Sequence, residues 1–249
     1  MKGEGVTLDG LGRYGLKIAQ PVDGYRFSLD AVLAADFASS AESARFADLG
    51  TGCGVIPLIL CRRFSGVSVV GMESNKAMAE LARDNAARNG MTDRVRIVCE
   101  DVATAKSLFP VSSFDGVIAN PPFRTPVSGR VSPKAGRDTA RHESTAGIAD
   151  FLAAAKYLVT PAGRIAFVYH PDRLAEFIHC AAELKLALLR LRMVHGTLDA
   201  PAKIFLAELA KGRKGTTTVL PPLIVYGADG AYTAEMRGIL GTDGVGSKK

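Results

Sequence analysis

The sequence predicts an α/β protein: a doubly wound, mostly parallel seven-stranded sheet with an antiparallel hairpin at one edge, plus a small N-terminal hairpin. Three observations carry this prediction. From about residue 45, short β-rich runs alternate with helical stretches, the pattern of a parallel sheet covered by helices. A glycine-rich turn, "GTGCG" at 50–54, follows the first of these runs and leads into an apolar stretch. Two long runs, "LALLRLRMV" and "AKIFLAELA", flank the short "HGTLDAP" loop and read as a hairpin closing the sheet.

In chain order, "VTLDGLGRYGLKIAQP" reads as the N-terminal hairpin and "SLDAVLAADFA" as a helix capped by Ser28. The strands are expected at Arg45 to Leu49, Val67 to Met72, Val95 to Cys99, Gly116 to Ala119 and Arg164 to Tyr169. Between the second and third, "SNKAMAELARDNAARNG" offers Ser74 as an N-cap and Asn89-Gly90 as a stop, with Met78, Leu81, Ala82 and Ala86 as the apolar stripe. "IADFLAAAKYLVTPAG" reads as the helix before the fifth strand, and another helix is expected near Pro171 to Lys185. A late block, "PPLIVYGADGAYTAEM", adds a strand and a turn. No repeat or long linker divides the chain, so residues 1–240 are expected to form one domain. Residues 1–30 would be a hairpin and covering segment, and 241–249 a frayed tail.

With 249 residues, 47% of them hydrophobic and 22% charged, the chain is long enough to bury one sizeable core. No apolar run approaches the roughly 20 residues that span a bilayer, and the first residues carry no signal-peptide pattern, which places the protein in the cytoplasm. Cys53, Cys61, Cys99 and Cys180 show no CxxC spacing, so the expectation is packed, reduced thiols and no metal. A net charge of +6 favours a polyanionic partner.

Gly50, Gly52 and Gly54 sit in the first βα turn, where the lack of a Cβ lets the backbone approach a ligand. Their GxGxG spacing departs from the GxGxxG of dinucleotide sites, which counts against a nicotinamide cofactor. Asp48 precedes the glycines at the end of the strand, with Thr51 inside the loop. Glu73, followed by Ser74, ends the second strand at the distance where an acid reaches ribose hydroxyls. Asp101, followed by Val102, brings a third carboxylate to the same edge, where it can accept from an adenine amino group.

This combination resembles the class I S-adenosylmethionine-dependent methyltransferases, with their Rossmann-like fold, over Arg45 to Ala210. The resemblance implies that Asp48, Gly50, Thr51, Gly52 and Gly54 hold the amino-acid and ribose parts of the cofactor, Glu73 and Ser74 the ribose diol, and Asp101 and Val102 the adenine. Tyr25, Phe27 and Ser28 in "YRFSLD" could cover the methionine end; the plainer reading of that stretch is aromatic packing before a capped helix.

"FDGVIANPPF", 114–123, starts as a strand and is stopped by two prolines, which cannot donate to a sheet ladder. An N-P-P segment is commonly just a turn. Within the resembled family, Asn120, Pro121, Pro122 and Phe123 match the subgroup that methylates planar amino groups: adenine N6, cytosine N4, guanine N2 or a glutamine amide. The prolines leave the segment little freedom to lose. The Asn120 side-chain oxygen and the Pro121 carbonyl could then accept both protons of an NH2 group, with Phe123 stacked on the base.

After Phe123 the chain carries Arg124, Arg130, Lys134, Arg137 and Arg141, a basic rim suited to RNA phosphates, although a solvated charged loop is the alternative. A second cluster, "KGRKG", fits a solvated turn, and His142 fits a hydrogen-bonded structural group. "GLKIAQPVDGYRFSLDAVLAADF", "DLGTGCGVIPL", "NPPF", "ARHE" and "IVYGADGAYTAEM" together resemble bacterial adenine-N6 methyltransferases acting beside the anticodon of a valine tRNA. That implies tRNA as partner, to a monomer or homodimer. Guanine-N2 methylation of rRNA, glutamine-N5 methylation of protein and a cofactor-binding RNA scaffold stay open as alternatives.

Overall fold

The computed structural model describes residues 5–22, 26–39, 43–122, 146–212 and 216–241. Strands β1 (Val6–Leu11) and β2 (Leu16–Pro21) form an antiparallel hairpin. After α1 (Leu29–Phe37) the chain alternates: β3 (Arg45–Leu49), α2 (Val55–Arg63), β4 (Ser68–Met72), α3 (Lys76–Arg88), β5 (Val95–Val98), α4 (Ala105–Leu108) and β6 (Phe114–Ala119). Then come α5 (Ile148–Leu158), β7 (Val159–Tyr169), α6 (Leu174–Glu183), the hairpin β8 (Leu186–His195) and β9 (Ala202–Lys211), short β10 (Thr218–Val219) and β11 (Leu223–Ile224), and α7 (Ala234–Leu240).

The second sheet runs β5-β4-β3-β6-β7-β9-β8-β10, with β11 also on β8. β5 through β7 are parallel and β9 is antiparallel to both its neighbours. Seven longer strands make the expected sheet, and the two-residue β10 and β11 extend its edge to nine. Alternate residues serve opposite faces. Phe46, Val69 and Ile118 pack with α1, α2 and α3, while Leu49, Met72, Val117 and Phe167 pack with α5 and α6. Where a Cβ would collide, the strand carries glycine: one at Gly116 would lie 2.1 Å from the Phe46 ring.

Some boundaries differ from the sequence reading. The helix expected through Gly163 ends at Leu158, and β7 begins at Val159. Pro161 disfavours helical backbone at the residue before it and has no N–H to give. The N-cap of α3 is Asn75 rather than Ser74. The Asn75 side chain accepts from Met78 N at 3.0 Å, while its own N–H goes to Glu73 Oε1 at 3.0 Å and cannot join the helix. Ser28 does stand at the N-cap of α1, but its main-chain oxygen takes the Ala31 N–H at 3.2 Å and its side chain makes no capping bond. Asn89-Gly90 does stop α3: Gly90 N donates to Ala87 O and Met91 N to Ala86 O, a Schellman ending with Gly90 at φ +66°. The late block supplies α7 as well as β11, capped by Thr233 onto Met236 N.

Two asparagines dock the N-terminal hairpin. Asn85 and Asn89, one turn apart on α3, treat the free edge of β2 as a strand would. Asn85 exchanges bonds with Ala19 N (2.8 Å) and O (2.9 Å), and Asn89 with Lys17 N (3.0 Å) and O (2.9 Å). A fully buried carboxamide is tolerable only when so satisfied.

Candidate active site

Strand order reverses beside β3, with β4 on one side and β6 on the other, and the crevice of a doubly wound sheet lies outside the carboxyl ends there. A small open cleft occupies it. Its walls are the loop Gly50 to Cys53, Val55 and Ile56 of α2, Phe27 and Ala31 at the start of α1, and Asn120 after β6.

The glycine loop is held by its own backbone. Gly50, Gly52 and Gly54 all lie at positive φ (+75°, +58° and +84°), where a side chain is strained. Gly50 N and Thr51 N both donate to Met72 O, at 2.9 and 2.8 Å. Gly52 N donates to Glu73 Oε2 at 2.8 Å, so the half-buried acid after β4 bridges this loop and the start of α3. Asn85 adds a bond to Cys53 O at 2.9 Å, which ties the loop to the N-terminal hairpin. Gly71 of β4 makes room for Thr51, since a Cβ there would lie 2.9 Å from the Thr51 side chain.

Asp48 lies beneath this loop and not on the cleft wall. It is fully buried; Oδ2 accepts from Thr51 Oγ1 at 2.5 Å and Oδ1 has no partner. Burial pushes its carboxyl up to about 7, with Thr51 opposing and Glu73 adding to the rise. The Cys53 thiol is pushed up to about 12, again by burial first, and so is not a nucleophile at neutral pH. Asp101 follows β5, half-buried, and accepts from Ala103 N at 2.8 Å; Val102 beside it is buried.

The structure therefore brings Phe27, Gly50, Thr51, Gly52 and Asn120 to one cleft, with Glu73 hydrogen-bonded to its loop. Gly54 caps α2 against Ala82, Ser74 is half-buried beside Glu73, and Ser28 is half-buried before α1. Pro121 is buried and Pro122 exposed. Tyr25, Phe123, Arg124, Arg130, Lys134, Arg137, Arg141 and His142 lie outside the described residues. Of the second basic cluster, Lys211 sits at the opposite end of the sheet and donates to Ser112 Oγ at 2.7 Å. Ala31, Val55 and Ile56 went unread in the sequence because apolar wall residues look like core. Asn85 left a trace: a polar residue inside the apolar stripe of α3.

Residues 30–176 match the family described as "Methyltransferase small domain". The chain belongs to this family. As a small-domain methyltransferase it uses S-adenosylmethionine. A protein of Porphyromonas gingivalis named tRNA1(Val) (adenine(37)-N6)-methyltransferase is 34% identical over 195 residues, 76% of this chain and 74% of its own. One of the same name from Vibrio campbellii is 27% identical over 230 residues, 92% and 93% of the two chains. Among solved structures, a protein of Agrobacterium tumefaciens described as a predicted O-methyltransferase superposes with a TM-score of 0.67 at 22% identity, covering 88% of this chain and 99% of its own. That likeness concerns the fold.

The residues of the cleft fit this cofactor. Three left-handed glycines hold the loop in a shape that side chains resist, and Glu73 adds an acid at its edge.

Proposed function

We propose that this methyltransferase acts on the exocyclic N6 of adenine 37, beside the anticodon of a valine tRNA, as the relatives' names describe for those proteins. The observation that carries the reading is Asn120, half-buried at the end of β6 and on the wall of the glycine-loop cleft, with Pro121 buried behind it.

When bound, S-adenosylmethionine supplies an electrophilic methyl group on sulfur. Glu73, at the edge of the glycine loop, takes the ribose hydroxyls. Asp101 and Val102 receive the adenine of the cofactor, Phe27 covers its methionine end with Tyr25 and Ser28, and Asp48 holds Thr51 in place. Asn120 Oδ1 and the Pro121 carbonyl accept the two protons of the substrate amino group. That lone pair is delocalised into the ring, and two acceptors favour its release toward the methyl group. Phe123 stacks on the base, and the methylated nitrogen gives its proton to water.

Arg124, Arg130, Lys134, Arg137 and Arg141 neutralise phosphates of the RNA. A base in an anticodon loop is partly unstacked, so its delivery costs less than flipping from a duplex. One domain, residues 1–240, does this in the cytoplasm, as a monomer or homodimer. No helix among the described residues is long and apolar enough to cross a membrane, and no metal-binding group of His, Cys, Asp or Glu occurs among them.

The purified protein, given radiolabelled methyl donor and unmodified valine tRNA, is expected to form N6-methyladenosine at position 37. A transcript with guanine at 37 is expected to accept nothing. N2-methylguanosine as product overturns the reading.

A further inference from the structure

Beyond the cleft, the carboxyl edge of the sheet continues over β7, β9, β8 and β11, four strand spacings from Asn120, or roughly 19 Å. At its far end stands an aromatic pair that the methyl-transfer site does not use. The Tyr226 and Tyr232 rings stack with centroids 5.2 Å apart and planes 16° from parallel. Tyr232 packs on the core that also holds α1 and α2, and Tyr226 is 39% exposed. The pair therefore belongs to the same layer as the cleft, and its outer ring faces solvent.

The turn that carries these rings is clamped to the sheet. Val225 N and Tyr226 N donate to His195 O (2.9 Å) and Gly196 O (2.8 Å) at the end of β8. Thr233 N returns to Val225 O at 3.0 Å and Thr233 Oγ1 to Ile224 O at 2.7 Å, while Arg237 donates to Tyr232 O at 2.5 Å. Gly227 N closes on Ala231 O at 2.8 Å, and Gly230 takes φ +75°. The nearby charges are of both signs. Exposed Asp229 accepts from Ala231 N, Glu235 is paired with Arg192 at 2.7 Å, and exposed Lys203 reaches Gly196 on the adjoining strand ends, beside exposed Asp199.

We infer that the outer face of the Tyr226–Tyr232 stack is a platform for a second unpaired base of the RNA whose target base enters the cleft. The inference rests on RNA being the substrate. A rigid aromatic face with little freedom left to lose suits an unpaired nucleobase, and such stacking tolerates any base. It fixes the distance between two loop nucleotides, which a single pocket does not.

The test uses the full-length protein and an anticodon stem–loop RNA. Tyr226→Ala and Tyr226→Leu are expected to raise the RNA KM and the RNA Kd by about 5- to 100-fold, with kcat and cofactor affinity unchanged; Tyr226→Phe is expected to match wild type. Tyr226→Leu keeps apolar cover on Tyr232, so it reads the loss of the ring where Tyr226→Ala fails to fold. With 2-aminopurine at single loop positions other than 37, one position is expected to be quenched by wild type and Tyr226→Phe, and released by Tyr226→Leu. Wild-type RNA affinity in Tyr226→Leu, or a Tyr226→Phe as weak as Tyr226→Leu, overturns the platform. The RNA Kd is read without cofactor, so a wrong target base leaves this result standing. A wild-type protein that binds no RNA sinks both readings.

Discussion

The two halves of the carboxyl edge are built differently. On the β3–β4 side the ligand-facing loop is locked: Gly50, Thr51 and Gly52 spend their N–H groups on Met72 and Glu73, and Asn85 holds Cys53. On the β7–β11 side, the backbone is clamped equally well at Tyr226 and Val225, but an exposed ring and an exposed lysine, Lys203, face outward. The first half suits a small molecule of constant shape, since preorganised backbone adds no ordering cost on binding. The second suits a larger partner met through separate anchors. Asn120 stands at the junction, where the two must agree.

Breaking the junction is expected to have the largest effect. Asn120→Ala should lower the single-turnover methyl-transfer rate by on the order of 100-fold or more, while calorimetry finds cofactor affinity nearly unchanged. A near-normal rate removes Asn120 from the chemistry. Next comes Glu73→Ala, which strips the acceptor from Gly52 N and Asn75 N as well as from the ribose. Cofactor Kd is expected to rise by about 10- to 100-fold with RNA affinity intact, and a matching loss of RNA affinity would erase the division between the halves.

A subtler change enters from below the loop. Gly71→Ala places a Cβ 2.9 Å from both Ile97 Cδ1 and the Thr51 side chain, so the packing around the Thr51–Asp48 bond must shift. The expected cost is about 1–3 kcal/mol of stability in denaturant melts, with weaker cofactor binding. The smallest effect is in pH. Folded Asp48 keeps its proton up to about pH 7, whereas in the unfolded chain it ionises near 3.8. Between those values the native state holds the extra proton, so its stability falls as pH rises through that window. The wild type should therefore lose ground to Asp48→Asn by on the order of 5 °C in Tm between pH 5 and 8. A constant difference would mean that Asp48 is ionised in the fold.

Much of the parallel half was legible in the sequence because its signals are local. β3 starts and stops at the expected residues, and a glycine turn after a buried strand has few other uses. Tertiary competition governed the misses. Ser74 is as good a cap as Asn75, and only Glu73, bound to the glycine loop, decides between them. β7 starts before the bulge at Phe114/Gly116, a pairing that no local pattern encodes. The pairing of Asn85 and Asn89 with β2 joins segments 66 and 72 residues apart, and the Tyr226–Tyr232 stack requires a turn anchored on β8. Residues with chemical character, Asn120 on the cleft wall and Glu73 bound to its loop, stood out in the sequence; the apolar wall did not.

The most direct test of the central claim is nucleoside mass spectrometry of valine tRNA purified from a parent strain, a deletion strain, and the deletion strain carrying either the wild type or Asn120→Ala. N6-methyladenosine at position 37 is expected in the parent, none in the deletion, return with the wild type and no return with Asn120→Ala. Unchanged N6-methyladenosine in the deletion strain, with another methylated nucleoside missing instead, would contradict it.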